Sequence, residues 1–165
     1  MNSDMNTVST VVLNPLQGDP RPAEDWVTTF HLALFVLDPF TKESGLIIPT
    51  AGRIMRNFRG ADCRVAWLVA GTQDEAAQFL GPWAEEMLTF ADPNREMIES
   101  LELKLLPAFV HLNHGLEISA SAEGWNPAEW RDVAESLSQR MRWSRPEVPV
   151  PSDPAPFIGT PASLP

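Results

Sequence analysis

Cys63 is the single cysteine of this chain, so any thiol chemistry has one sulfur and no internal disulfide, and a multi-cysteine zinc site is excluded. A bridge to another chain stays open to it. Histidine stands at 31, 111 and 114. A spacing of three joins two imidazoles on a helix, but AFVHLNHG reads as a strand entering a turn, with Asn113 the one further donor nearby, so no metal site is expected. His31 opens an apolar run and reads as a hydrogen-bonded core or edge residue rather than a general base. Two hydroxyls, Thr41 and Ser44, flank Lys42 and Glu43 where an apolar strand meets a helix, in FVLDPFTKESGLIIPT. Most carboxylates between 85 and 102 and between 132 and 135 lie on predicted helices and read as solvated faces. A glycine-rich phosphate loop, a Gly-x-Ser-x-Gly elbow and a His-Glu-x-x-His helix are all missing.

The elements that must position these groups follow from periodicity. FHLALFVL, 30–37, is a short apolar run stopped by Asp38-Pro39, as a buried strand should be. Apolar residues at 47, 51, 54, 55 and 58 mark one face of a helix over 45–58. Residues 64–71, with VAWLVA inside, form a second buried strand. Thr72 and Glu75 spell a capping box for a helix that stops or kinks at Gly81-Pro82. LTFAD, 88–92, is a third strand, and Asp92-Pro93 starts a helix expected to run to Leu105. Pro107 opens AFVHLN, and the turn Asn113-His114-Gly115 leads into LEISAS as its antiparallel partner. Asn126, Pro127 and Glu129 begin a closing helix whose inner face is Trp130, Val133, Ala134, Leu137 and Met141.

Three segments result: an N-terminal arm or accessory strand over 1–25, one domain over 26–144, and a proline-rich extended tail over 145–165. With proline at 146, 149, 151, 154, 156, 161 and 165, the tail is expected to be a solvated strap for a partner, the alternative being a strap along its own domain anchored by Phe157 and Ile158. The 165 residues are 44% hydrophobic and 21% charged, as in folded domains. A formal net charge of −10 argues against nucleic acid and an anionic membrane surface as partners. The expected location is the cytoplasm, since MNSDMNTVST lacks the basic and apolar regions of a signal peptide. Of six tryptophans, Trp67 and Trp130 read as core, whereas Trp83, Trp125 and Trp143 stand near element ends.

The order β-α-β-α-β-α-β-β-α predicts an α/β fold of three layers, a mixed sheet of four to five strands flanked by helices. Over roughly residues 27–142 the chain resembles the thioredoxin-like superfamily. The resemblance rests on FHLALFVL followed by a helix carrying Pro49, on KLLPAFVHLN with Pro107 at the family's cis-proline, and on the final hairpin and helix. It implies that the Leu106-Pro107 bond is cis. Aligned on Pro49, the family's Cys-x-x-Cys falls on Thr41, Lys42, Glu43 and Ser44, with hydroxyls in place of both sulfurs. Dithiol exchange needs a thiolate, which Thr and Ser do not supply. A peroxiredoxin alignment likewise puts Ser44 where the peroxidatic cysteine belongs. Cys63 precedes the second strand, about 20 Å from this junction if the strands are parallel, and reads as a packing residue.

The resemblance implies a redox-inactive, thioredoxin-like protein-binding module: an assembly chaperone or accessory subunit of a larger complex, without cofactor or metal. Redox-dead members of the superfamily include maturation chaperones, among them accessory proteins of hydrogenase assembly. In the family, extended polypeptide binds between the active-site turn and the cis-proline, which implies a partner-binding surface of Thr41, Lys42, Glu43, Ser44, Leu106, Pro107 and Ala108. The expected partner is another protein, an enzyme subunit or a client polypeptide. The alternative is a thiol-dependent enzyme, glutathione-transferase-like or peroxidase-like, using a hydroxyl at Thr41 or Ser44, or Cys63.

Overall fold

The runs of β-branched and aromatic residues become strands that are buried on both faces. The computed structural model describes Val8 and residues 10–164; residues 1–7 and 9 of the expected arm, and Pro165 of the tail, lie outside the described residues. The first central strand is β3 (His31–Leu37), after β1 (Val12–Pro15), β2 (Arg21–Pro22) and α1 (Ala23–Trp26). Along β3, Leu32, Leu34 and Val36 enter one core, and Ala33, Phe35 and Leu37 the other. This period-two alternation puts hydrophobic packing on both sides of the sheet.

Helix α2 (Lys42–Asn57) returns the chain to β4 (Cys63–Val69), and α3 (Gln73–Leu80) with α4 (Pro82–Glu86) leads to β5 (Leu88–Ala91). These three strands are parallel, β4 pairing with both β3 and β5. The capping box at Thr72 and Glu75 forms as expected, and α3 ends at Gly81 with a φ of 58°, followed by Pro82 as the first residue of α4. After α5 (Glu96–Ser100) come β6 (Leu105–Leu106), β7 (Ala108–Leu112), β8 (Ile118–Glu123), α6 (Pro127–Met141) and β9 (Thr160–Pro161). β7 runs antiparallel to both β3 and β8. The sheet order is β2-β1-β5-β4-β3-β7-β8, with β6 and β9 forming a separate pair.

Seven strands thus replace the expected four to five, because β1 adds antiparallel to the outer edge of β5 and carries β2 with it. On one face the core receives Trp26 of α1 and Met97 and Ile98 of α5. On the other it receives Ile47, Ala51, Ile54 and Met55 of α2, Leu80 of α3, and Trp130, Val133, Ala134 and Leu137 of α6. Trp67 and Trp130 are core as expected, and Trp125, only 1% exposed, joins them.

Two expectations need correction. The helix expected from Asp92 to Leu105 is only Glu96–Ser100, because Arg95 and Glu102 adopt φ values of 56° and 58°, a left-handed conformation that interrupts a helix on either side. The N-cap is Arg95 rather than the expected Asp92, and the Asp92 carboxylate, three residues upstream, accepts from the backbone N–H groups of Met97 and Ile98 at 3.3 and 3.0 Å. The tail, expected as a strap for a partner, lies on its own domain. Val148 is buried, and Asp153 takes Arg53 Nη2 at 2.8 Å and the Thr50 hydroxyl at 2.7 Å. Phe157 packs half-buried against the core and pairs with Trp125. Proline stiffening reduces the entropy lost when such a segment is fixed.

Candidate functional site

Asp38, the residue at which β3 stops, organises the junction where the hydroxyls lie. Its Oδ1 accepts from the Phe40 N–H at 2.9 Å, closing a local turn. Thr41 is the N-cap of α2, its hydroxyl oxygen accepting from the Ser44 N–H at 3.4 Å while donating to the Asp38 carbonyl at 3.2 Å. Ser44 is fully buried, and its hydroxyl oxygen accepts from the Asp38 N–H at 2.9 Å. Both hydroxyls are therefore engaged with backbone. Lys42 is exposed and Glu43 half-buried beside them, and Pro49 stands inside α2 on its exposed side.

The second part of the expected surface lies at the same end of the sheet. Ala108 pairs with Val36, so Pro107 falls level with the end of β3. The Leu106-Pro107 bond is cis, as the resemblance implied. Leu106, Pro107 and Ala108 are all buried. The backbone edge before the proline is occupied by the chain's own tail: Leu106 pairs with Thr160 and Leu105 with Pro161.

A buried guanidinium ties the two parts together. Arg95 Nη2 donates to Asp38 Oδ2 at 2.8 Å, and Nη1 donates to the carbonyl of Ala162 at 2.7 Å. Sequence reasoning missed both members of this pair. Asp38 read only as a strand stop, and Arg95 lay inside an apparent helix.

The titratable side chains gather elsewhere. His31 faces Cys63 in register at the first residues of β3 and β4, six residue steps from Leu37 and Val69. At ~3.3 Å per residue that is ~20 Å, so Cys63 and the Thr41–Ser44 junction lie at opposite ends. Burial, with Asp62 adding to it, pushes the Cys63 thiol up to about 11, which disfavours the thiolate needed for nucleophilic attack. His31 Nδ1 and His111 Nε2 are 2.8 Å apart, the His114 ring meets His31 edge-on, and Ser136 is 3.3 Å from His111 Nδ1. Burial, helped by His31 and Arg140, holds His111 down to about 4. Among the described residues no group of three or more His, Cys, Asp or Glu is arranged to hold a metal ion. With every imidazole at the far end, neither Thr41 nor Ser44 has a histidine base beside it. Among the described residues no helix is long and apolar enough to cross a membrane.

No protein-family model matches the sequence, and no curated protein matches it either. Solved structures do resemble it. A putative thiol:disulfide interchange protein DsbE from Chlorobium tepidum aligns with a TM-score of 0.65 at 14% identity, covering 79% of this chain and 92% of that one. A hypothetical protein from Sinorhizobium meliloti gives 0.67 at 10% identity, covering 94% and 91%. A cysteine-to-serine variant of peroxiredoxin Q from Xanthomonas campestris gives 0.65 at 8% identity, covering 83% and 94%. Identities this low speak for the fold, and together with the parallel β3-β4-β5 core, the antiparallel β7-β8 hairpin and the cis-proline before β7 they make it thioredoxin-like.

Proposed function

We propose that this chain is a redox-inactive, thioredoxin-like protein-binding module that serves in the cytoplasm as an assembly chaperone or accessory subunit of a larger complex. One observation carries the reading: the two positions aligned with the family's sulfurs hold hydroxyls that are bonded to backbone, Thr41 as the cap of α2 and Ser44 on the N–H of Asp38. A hydroxyl at a helix start cannot form the mixed disulfide on which dithiol exchange depends. What remains open at this junction is exposed Lys42 with half-buried Thr41 and Glu43, above buried Ser44, Leu106, Pro107 and Ala108, and an extended client or subunit reaches the edge before Pro107 only where the chain's own tail leaves Leu105 and Leu106.

The test is enzymatic. The purified chain is expected neither to reduce insulin disulfides nor to consume peroxide with a dithiol donor, and turnover above a no-protein blank in either assay overturns the reading. Purification of the tagged chain from its host, followed by mass spectrometry, then names the partner. The peroxiredoxin-like neighbours favour a second reading, a peroxidase-like enzyme that works through Cys63 and a thiol from another molecule. Under it, peroxide turnover is measurable and disappears in Cys63→Ser. Calorimetry with glutathione tests the related possibility that Thr41 or Ser44 binds a small thiol.

A further inference from the structure

The tail has two halves that are held in different ways. Residues 145–154 are anchored by side chains: Val148 is buried, Asp153 receives Arg53 and Thr50, and the carbonyl of Pro154 accepts from Trp125 Nε1 at 2.7 Å. Residues 157–164 are held mainly through backbone. Trp125 and Phe157 exchange two N–H to carbonyl bonds of 2.9 and 3.1 Å, and the Ala162 N–H donates to the Lys104 carbonyl at 2.9 Å. Side chains add half-buried Phe157 on the core, covered Ala162 and the Thr160 hydroxyl donating to the Leu106 carbonyl at 3.4 Å, whereas Ile158 is 79% exposed and Leu164 63% exposed.

The contact is nevertheless selective. Gly159 has a φ of 99°, and a β-carbon there would come within 2.7 Å of the Leu106 carbonyl oxygen and 3.1 Å of Gly124 Cα. Gly124, with a φ of 68°, in turn leaves room for the carbonyl of Ile158. Because Ala162 donates to Lys104, the antiparallel alternation puts Pro161 at a position that needs no N–H. Ala162 then delivers its carbonyl to Arg95. Few side-chain contacts and an ordered backbone pairing are the marks of a segment that opens at a cost well below global unfolding.

We infer that residues 157–164 are an exchangeable strap on the docking edge of Leu105 and Leu106, displaced by an extended partner segment that presents a glycine, a residue needing no N–H two positions on, and a small apolar residue whose carbonyl takes Arg95. The inference rests on the protein-binding reading and adds its regulation. The tethered strap acts at an effective concentration that a short linker raises to the millimolar range, so a free segment enters only when it binds better or when the strap is weakened. In the closed state the edge beside the cis-proline is satisfied and unavailable to unrelated chains. Opening it also frees Arg95 from Ala162 while leaving Asp38 as its partner.

The experiment uses the full chain and a fluorescein-labelled peptide PFIGTPASLP, the sequence of residues 156–165. In the Gly159→Ala/Ala162→Glu variant, which releases the strap at both selective contacts, fluorescence anisotropy is expected to show peptide binding roughly a hundredfold tighter than in the wild type. The same peptide carrying Gly159→Ala is expected not to bind. Equal, undetectable binding to a variant with the far-ultraviolet spectrum of the wild type overturns the inference. Should the variant fail to fold, hydrogen exchange of the wild type decides: the amides of Thr160 and Ala162 are expected to exchange at least about tenfold faster than those of β3 and β4, and exchange in step with β3 sinks the strap model. That failure would leave the insulin and peroxide assays untouched, so the two readings fail separately.

Discussion

Asp38 and Arg95, 57 positions apart, form an ion pair of 2.8 Å whose side chains are 8% and 10% exposed. The pair joins the end of β3 to the carbonyl of Ala162, so the junction at Thr41 and the end of the tail share one guanidinium. Replacing Arg95 with Met would leave the Asp38 carboxylate buried without its cation. Removing one partner of such a pair costs about 3–5 kcal/mol. Urea denaturation at pH 7 should show a loss of this size for Arg95→Met, and a loss under about 1 kcal/mol would mean that water replaces the guanidinium.

Thr41 and Ser44 should respond differently to alanine. Thr41→Ala removes a helix cap, a change worth about 0.5–2 kcal/mol. Ser44→Ala strands the Asp38 N–H in a buried site, which costs about 1–3 kcal/mol. The two roles differ because Thr41 is the cap of α2 while Ser44 bonds back to the end of β3. Chemical denaturation of the two variants gives the order. Equal activity per folded molecule in any partner-binding assay would make both groups structural.

The histidine cluster predicts a pH dependence. His111 is held at about 4 in the folded chain against an ordinary 6.5, by burial and by the neighbouring His31 and Arg140, and His31 is lowered as well. Between those values the unfolded chain binds a proton that the folded chain refuses. Stability is therefore complete above pH 6.5 and falls as the pH drops toward 4, by at most about 1.4 kcal/mol per pH unit for one site. Thermal melts from pH 7.5 to 4.5 should show this decline, and His111→Gln should flatten it.

Asp153 pins the first half of the tail. With its carboxylate 4% exposed and bonded to Arg53, Thr50 and the Val150 N–H, Asp153→Ala should cost about 2–3 kcal/mol. An unchanged midpoint in urea would show that the tail is not part of the cooperative unit.

Local signals carried the sequence reading where the residue pattern and the fold agree. FHLALFVL and VAWLVA are buried on both faces, Thr72 and Glu75 form their box, and Trp130, Val133, Ala134 and Leu137 line the inner side of α6. What escaped depends on distant partners. REMIESLELK has continuous helix propensity, yet Arg95 turns out of a helix to reach Asp38 and Ala162, and tertiary contacts outweigh propensity terms of under 1 kcal/mol per residue. His31 and His111 meet across 80 positions of chain, and no spacing rule reports that. The tail misled because its prolines suggested solvation, while the contacts that hold it belong to Val148, Asp153, Phe157 and Ala162, which follow no helical or strand period.

At the other end of the chain, β1 closes the outer edge of β5 and ends on Pro15, and β2 is two residues long, one of them Pro22. An open edge beside a parallel core is a template on which further chains can add strands, and short, proline-bearing strands give them few N–H groups to pair with. Stacking of molecules sheet to sheet is thus blocked along this margin. Residues that read in the sequence as an arm or accessory strand leave few N–H groups open to another chain at this edge.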